Sequence, residues 1–370
     1  MPTIRDITMV AVAHVMQPHQ AFGTSLGLNS TRGASLILLT TDDGVEGVGE
    51  AWGPPGMTRA ALEFVKPRFI GTSLGAQRSV AESLLAFAYH IRGALKAVLG
   101  GIDIAAHDAL GKLLGVSVAD LLGGRQRDRL AVYASSGFFT AEDDQEAALA
   151  AQVEPLHGSA FAAVKIRIGR RPDEDQQRVR LTRRLVGEGK PIAVDANCTY
   201  TADTALASMH RIAPFGVLWY EEPLAPEDWG GYAELARHGL IPIAAGEPLN
   251  SVADFRRLVN GRLAAVLQPD LTVCGGFATA RVVGAFAAAE HLSLSPHCCT
   301  TGVGLAAAAQ WMASLPEQPA LFEYDIGPNV LRDALLATPL KVSDGMLEVP
   351  AGPGLGIALD PAALKHFAVA

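Results

Sequence analysis

Cysteine is scarce in this chain, and the four present, Cys198, Cys274, Cys298 and Cys299, form no C-x-x-C pair and no metal-ligand spacing. This argues against a disulfide framework and a thiolate metal site, and free thiols of a cytosolic protein are expected. Long hydrophobic runs are also missing. No stretch of about 18 apolar residues occurs, so no membrane span is expected. The opening "MPTIRDITMVAVAHV" carries Arg5, Asp6 and His14 with no cleavage-site pattern after it, so we expect no signal peptide and a cytoplasmic location. Positive charge is the third shortage. Lys and Arg total 30 against 38 Asp and Glu, a formal net charge of −8. That balance argues against nucleic acid or an anionic membrane as partner.

What is present suits an enzyme-sized α/β chain. The 370 residues are 49% hydrophobic and are punctuated by 38 glycines and 22 prolines, which predicts many short elements in a large barrel plus a smaller domain. Residues 3 to 16 and 34 to 52 read as strands, with Asp43-Gly44 as a hairpin signal. From 58 to about 122 the pattern is helical, including "ALKAVLGGIDIAAHDALGKLLG", and "LLGG" at 121 to 124 reads as a helix stop. We expect residues 1–125 to form this α+β unit. Short apolar runs then alternate with helical stretches, the pattern of a parallel sheet closed into a (β/α) barrel. The barrel is expected over 126–330, and 331–370 is expected to return to the N-terminal unit.

Each predicted barrel strand from the second onward ends in a residue that an apolar core would not choose. Lys165 and Arg167 end the second, followed by Asp195, Glu221, Glu247, Asp270, His297 and Glu323 at steps of 26, 26, 23, 27 and 26 residues. Each step is one β/α unit, so the groups converge on the C-terminal mouth, where barrel active sites lie. Asp195, Glu221 and Glu247 on adjacent strands cannot share a small volume unneutralised. A hard divalent cation solves this, and all-oxygen ligation favours Mg²⁺. The bland alternative is that each acid caps the helix that follows. Glu222 competes with Glu221, but strand alternation turns only one inward, and Glu221 is preferred. Asp270 beside His297 would orient the imidazole and raise its basicity. Lys165 and Arg167, two apart on one strand, share a face. They call for an anion, read here as a substrate carboxylate with help from the protein's own acids, the alternative being an interior salt-bridge network. Metal and cations together would stabilise the enediolate formed when a proton leaves the carbon next to a carboxylate.

These residues resemble the mandelate racemase/muconate lactonizing enzyme family of the enolase superfamily. The similarity runs nearly end to end, through "GVEGVGEAWGP", "GIDIAAHDALGKLLGVSVADLLGG", "VDAN", "EEP", "GEP", "LQPD" and "GPGLGI". It implies a capping α+β domain on a (β/α)7β barrel and one Mg²⁺ per subunit on Asp195, Glu221 and Glu247. It also implies a His297–Asp270 dyad of the mandelate racemase-like subgroup, a Glu323 that hydrogen-bonds the enediolate, an active-site Asn197, and a symmetric homo-oligomer. Loops such as "LQPDLTVCGGF" and "GTSLG" resemble those of acid-sugar dehydratases and lactone cycloisomerases. The subgroup's usual Lys-x-Lys is here Lys165-Ile166-Arg167. A guanidinium titrates far above neutrality, so Arg167 is a poor base and a good anion clamp.

The expected activity is Mg²⁺-dependent removal of a proton α to a carboxylate. It would be followed by β-elimination from a small anionic substrate, an acid sugar or its lactone, with His297 moving the proton. A racemase or epimerase, a Schiff-base aldolase on Lys165 and an inactive binding protein are the alternatives. Segments 16 to 33 and 50 to 57 suit mobile lids over the mouth, from which His19 and Trp52 are candidate substrate contacts.

Overall fold

The computed structural model describes residues 1–316 and 321–369. The N-terminal unit is an antiparallel sheet with helices on one face. Its strands are β1 (Ile4–Val15), β2 (Thr31–Thr41) and β3 (Glu46–Ala51), in the spatial order β1-β2-β3. Asp43-Gly44 does turn the chain between β2 and β3, with Gly44 at a φ of +87°. Helices α1 (Pro55–Val65), α2 (Gln77–Phe87) and α3 (Arg92–Leu114) follow. The helical pattern read to about residue 122 is broken earlier, because Gly115 takes the left-handed conformation and stops α3. Ser117 then caps a separate single turn, Val118–Leu121, by accepting from the Asp120 N–H.

α3 lies unusually close to β3. A Cβ placed on Gly49 would sit 2.0 Å from the Gly101 carbonyl oxygen, and one on Gly47 would sit 2.0 Å from that of Ala105. Only glycine permits this approach, which explains the "GVEGVGEA" pattern.

The remainder is an eight-stranded parallel barrel in (β/α)7β order, as expected. It comprises β4 (Arg129–Ser135), α4 (Gln145–Val153), β5 (Val164–Arg167), α5 (Pro172–Val186), β6 (Ile192–Asp195), α6 (Ala202–Ile212), β7 (Val217–Glu221) and α7 (Trp229–His238). It continues with β8 (Ile243–Ala245), α8 (Val252–Asn260), β9 (Val266–Leu267), α9 (Gly276–Glu290), β10 (Ser293–Leu294), α10 (Gly302–Ser314) and β11 (Phe322–Asp325). Strands β4 to β10 pair in sequence, and β11 pairs in parallel with β4. Among the described residues no ladder joins β10 to β11.

Period-two alternation sorts the side chains. Val164, Ile166, Val194 and Tyr220 face the helices in the main core, while Tyr133, Ala163, Ala193, Trp219, Ala244 and Val266 plug the barrel interior. Two buried carboxylates join the cap to later parts of the chain. Glu50 accepts from Thr301 N, Thr301 Oγ1 and Gly304 N at the start of α10. Asp108 of α3 accepts from Val48 N and Leu355 N. The tail adds β12 (Met346–Glu348) antiparallel to β4 and β13 (Ala368–Val369) antiparallel to β1. Among the described residues no helix is long and apolar enough to cross a membrane.

Gly49→Ala should therefore destabilise the cap by about 3 kcal/mol, the upper end for overpacking a well-filled site. Urea unfolding followed by circular dichroism checks this, and an unchanged midpoint would mean that α3 can move away at no cost.

Candidate active site

Ladder register sets the central groups level. Arg167 of β5 is opposite Asp195 of β6, and Asp195 is opposite Glu221 of β7. Glu247, Asp270 and His297 lie two or three residues beyond the ends of β8, β9 and β10. Asp195, Glu221 and Glu247 each offer one carboxylate oxygen, and these three atoms lie within 4.8 Å of one another. Asp195 and Glu221 are buried, and Glu247 is partly exposed toward the mouth.

The remaining lone pairs of the triad are held by dedicated donors. Asp195 accepts from Asn197 N at 2.8 Å and from Asn197 Nδ2 at 3.0 Å. Glu221 Oε2 accepts from Trp219 Nε1 at 2.9 Å and Gln268 Nε2 at 2.7 Å. Three acidic groups in so little space carry more negative charge than the site neutralises. Burial above all, with Glu221 and Glu247 adding, pushes the Asp195 carboxyl up to about 7 against the pull of Arg167 and Lys165. A hard cation fits this all-oxygen donor set, which offers no thiolate or imidazole within the triad.

Lys165 and Arg167 meet the acids of the protein that the sequence reading included beside a substrate carboxylate. Their immediate anions are the protein's own. Lys165 Nζ, fully buried, hydrogen-bonds Glu221 and lies 2.8 Å from Glu323 Oε1 and 3.9 Å from Asp195 Oδ2. Arg167 Nη1 hydrogen-bonds Asp195, and Nη2 donates to Ser135 Oγ at 3.2 Å. Burial opposes both charges, but Glu221 and Glu323 hold Lys165 well above the usual lysine range, and Asp195 does the same for Arg167. Both remain cations. Glu323 is likewise held below the usual carboxylate range, because Lys165, His297 and Arg167 outweigh its burial. Its Oε2 accepts from Cys298 N at 2.9 Å. In this arrangement Glu323 holds Lys165.

His297 and Asp270 are in contact. Nδ1 of His297 is 2.7 Å from Asp270 Oδ2, and the other oxygen of Asp270 accepts from Thr272 N and Thr272 Oγ1. One oxygen thus caps the turn Leu271–Cys274 while the other orients the imidazole. His297 Nε2 points to the metal-ligand triad, 3.6 Å from Glu247 Oε2. Burial works against a charge on this ring, yet Glu247 and Asp270 raise it well above the usual histidine range. Trp52 stands edge-on to His297 with ring centroids 6.5 Å apart, and its ring is about half exposed. Asn197 adopts a left-handed φ of +50° and keeps a buried, unpartnered Oδ1. His19 is not gathered in. It sits exposed in the turn Pro18–Gln20 and makes no hydrogen bond or ion pair with the other candidates.

Glu222 turns away, at a φ of +38°, to accept from Gly246 N at 2.7 Å and Tyr232 OH at 2.8 Å. Burial and then Glu247 push it up to about 8. Sequence reading missed Ser135, Trp219, Gln268 and Phe138, whose ring lies 4.8 Å beneath the Arg167 guanidinium. "WYEEP" and "LQPD" contain two of these, but nothing local marks them as ligands of a ligand. The lid reading also changes. Phe22–Thr24 pairs with Gly27–Asn29 and with Phe139–Thr140, so this segment is a strand docked on the barrel, not a loose loop.

Comparison with known proteins gives the family. Residues 4–123 match the N-terminal domain of the mandelate racemase/muconate lactonizing enzymes, and residues 146–363 match the enolase C-terminal domain-like family. The chain belongs to this enzyme family of the enolase superfamily. It is 33% identical over 345 residues to D-galactarolactone cycloisomerase of Agrobacterium fabrum, covering 90% of each chain. It is 30% identical over 348 residues to D-galactonate dehydratase of Ralstonia pickettii, covering 88% of this chain and 89% of that one. Among solved structures, a racemase from Streptomyces coelicolor with bound magnesium superposes with a TM-score of 0.87 at 25% identity, covering 99% and 100%.

The raised carboxyls yield a pH dependence in protein stripped of divalent ions. Asp195 and Glu222 bind protons more tightly folded than unfolded, so their contribution to stability is whole below about pH 4 and is lost as pH rises to about 7 to 8. Glu222→Gln should gain stability relative to wild type across that window, measured by urea midpoints in chelator. A constant difference between the two proteins at all pH values would contradict the assignment.

Proposed function

We propose that this protein removes the proton α to the carboxylate of an acid sugar or its lactone and expels the β-oxygen, with one Mg²⁺ per subunit. The observation that carries the reading is the division of the mouth into two sides. Lys165 and Arg167, both held as cations, stand on one side, and the free Nε2 edge of His297 faces the acidic triad from the other. Asp195, Glu221 and Glu247 would hold the cation, whose chemistry is that of a Lewis acid toward the substrate carboxylate.

Glu247 is the main group that favours a charge on His297 here; with a cation on the triad that pull would be offset, and the neutral ring's Nε2 takes the α-proton while Asp270 keeps it oriented. The charge that develops on the carboxylate is met by Lys165 and Arg167, preorganised by Glu323 and Ser135. The β-carbon–oxygen bond then breaks, and His297 returns its proton to the departing oxygen, which leaves as water from an acid sugar or as the carboxyl group of an opened lactone ring. The enol left behind tautomerises to a 2-keto-3-deoxy acid. The names of the Agrobacterium and Ralstonia relatives support an acid-sugar substrate. A racemase needs a second base on the opposite face, which Arg167 does not supply. A Schiff base needs a neutral amine, which the ion pairs of Lys165 with Glu221 and Glu323 disfavour. The family resemblance supports a symmetric homo-oligomer, and the expected location is cytoplasmic.

A panel of mono- and diacid sugars and their lactones, assayed with Mg²⁺ for 2-keto acid, should reveal the substrate. Excess chelator should abolish turnover and Mg²⁺ restore it, and Glu247→Gln should weaken Mg²⁺ binding. Full activity in chelator would remove the mechanism. His297→Asn should eliminate turnover, whereas Arg167→Met should lower it by about 2–4 kcal/mol in barrier, as when one oxyanion donor is removed. In deuterated water the α-proton should exchange with retention. Rapid exchange with inversion, dependent on Arg167, would make the arginine a base and favour racemisation.

A further inference from the structure

We infer that Phe138 and Phe22 are positioning residues for Arg167, and that they tie the placement of this guanidinium to docking of the N-terminal lid segment. This rests on the electrostatic role proposed above for Arg167. Hydrogen bonds alone leave that group incompletely fixed, since Nη1 is taken by Asp195 and Nη2 by Ser135, while the buried Nε has no partner. The face of the Phe138 ring, 4.8 Å away, supplies the missing constraint.

Phe138 is itself held on both sides. Its N–H donates to Gln152 Oε1 at 2.9 Å, and its carbonyl accepts from Gln152 Nε2 at 3.0 Å. The preceding Gly137 has a φ of +59°, and a Cβ there would lie 2.6 Å from the side chain of Ile166. Phe22 of the lid meets the Phe138 ring edge-on, with centroids 5.0 Å apart at 78°. Arg32, where the lid re-enters β2, lies 4.1 Å over the Phe22 ring and pairs with Asp325 Oδ2 at 2.6 Å. The result is one continuous stack, Asp195–Arg167–Phe138–Phe22–Arg32–Asp325. Phe22 and Phe138 are buried with Met16 as a separate small apolar cluster. Pairing of Gly23 with Phe139 holds the same docked arrangement from the backbone, and the Phe22 ring is the side-chain contact through which the lid supports the ring beneath Arg167.

A double-mutant cycle and a thiol probe test this. Arg167→Lys keeps the charge but loses the planar face. Phe22→Leu should lower kcat about fivefold with KM little changed, the order expected for one aromatic pair. The loss should fall below about twofold in the Arg167→Lys background, because coupled residues are non-additive. Phe22→Tyr should restore most of kcat. Equal losses in both backgrounds, or a loss carried by KM, would overturn the inference, since Phe22 would then act by lid closure or substrate contact alone. Cys299 Sγ lies 3.1 Å from Arg32 Nη1, so its alkylation rate, read by peptide mass spectrometry against Cys198, reports the far end of the stack without substrate or metal. Phe138→Leu and Phe22→Leu, which leave both arginines in place, should each speed that alkylation. Unchanged rates would overturn the coupling even if no acid sugar proves to be a substrate, and faster rates would uphold it in that case too.

Discussion

Mutual neutralisation of charge at the barrel mouth is the constraint on which the other features depend. Two unit charges about 4 Å apart interact by roughly 4 kcal/mol at an effective dielectric of 20, so leaving one of these groups unmatched would cost a large share of a protein's net stability. The triad of Asp195, Glu221 and Glu247 is met from one side by Lys165 and Arg167 and faces His297 on the other. Neutral donors complete the arrangement. Trp219 and Gln268 spend their N–H groups on Glu221, and Asn197 spends its own on Asp195. These residues are as necessary to the site as its charged members, because a carboxylate that turned freely would present no defined vertex to a cation.

The fold and the ring of polar strand ends were legible in the sequence because a barrel repeats one unit. A chemistry-bearing residue every 23 to 27 positions is a periodic signal, and period-two alternation tells which neighbour points inward. The structure therefore puts Glu221 rather than Glu222 in the triad. The charge states were not legible. That Glu323 is held ionised by Lys165 follows from a contact across 158 residues, a separation at which no spacing rule operates. The hairpin at Phe22–Thr24 was likewise hidden. Its outer partner, Phe139, belongs to the loop after the first barrel strand, so the segment's glycines and serines read locally as a loose loop. His19, a candidate because it lies in the segment read as a lid, sits at the exposed turn before that hairpin.

Arginine in place of lysine at 167 alters more than basicity. A lysine ammonium can be satisfied by point contacts, whereas a guanidinium has a plane, and a plane must be oriented. The barrel answers with the ring of Phe138, and Gly137 is needed to bring that ring in. The substitution at 167 and the "SSGFFT" run at 135 to 140 are thus one feature seen at two places in the chain.

The same stack bears on how such an enzyme can change substrates over evolution. In a barrel with a separate lid, the lid is the natural place for variation, because it touches the substrate without touching the machinery. Here that independence is incomplete. Leu26 and Leu28 at the tip of the lid hairpin are exposed and are free to drift. Phe22 and Arg32 are not, because each is part of the support beneath a charged group of the barrel. With arginine at 167, the tip of the lid is the part whose change leaves the guanidinium's support intact, and a change at its base is expected to be coupled to a change at 167.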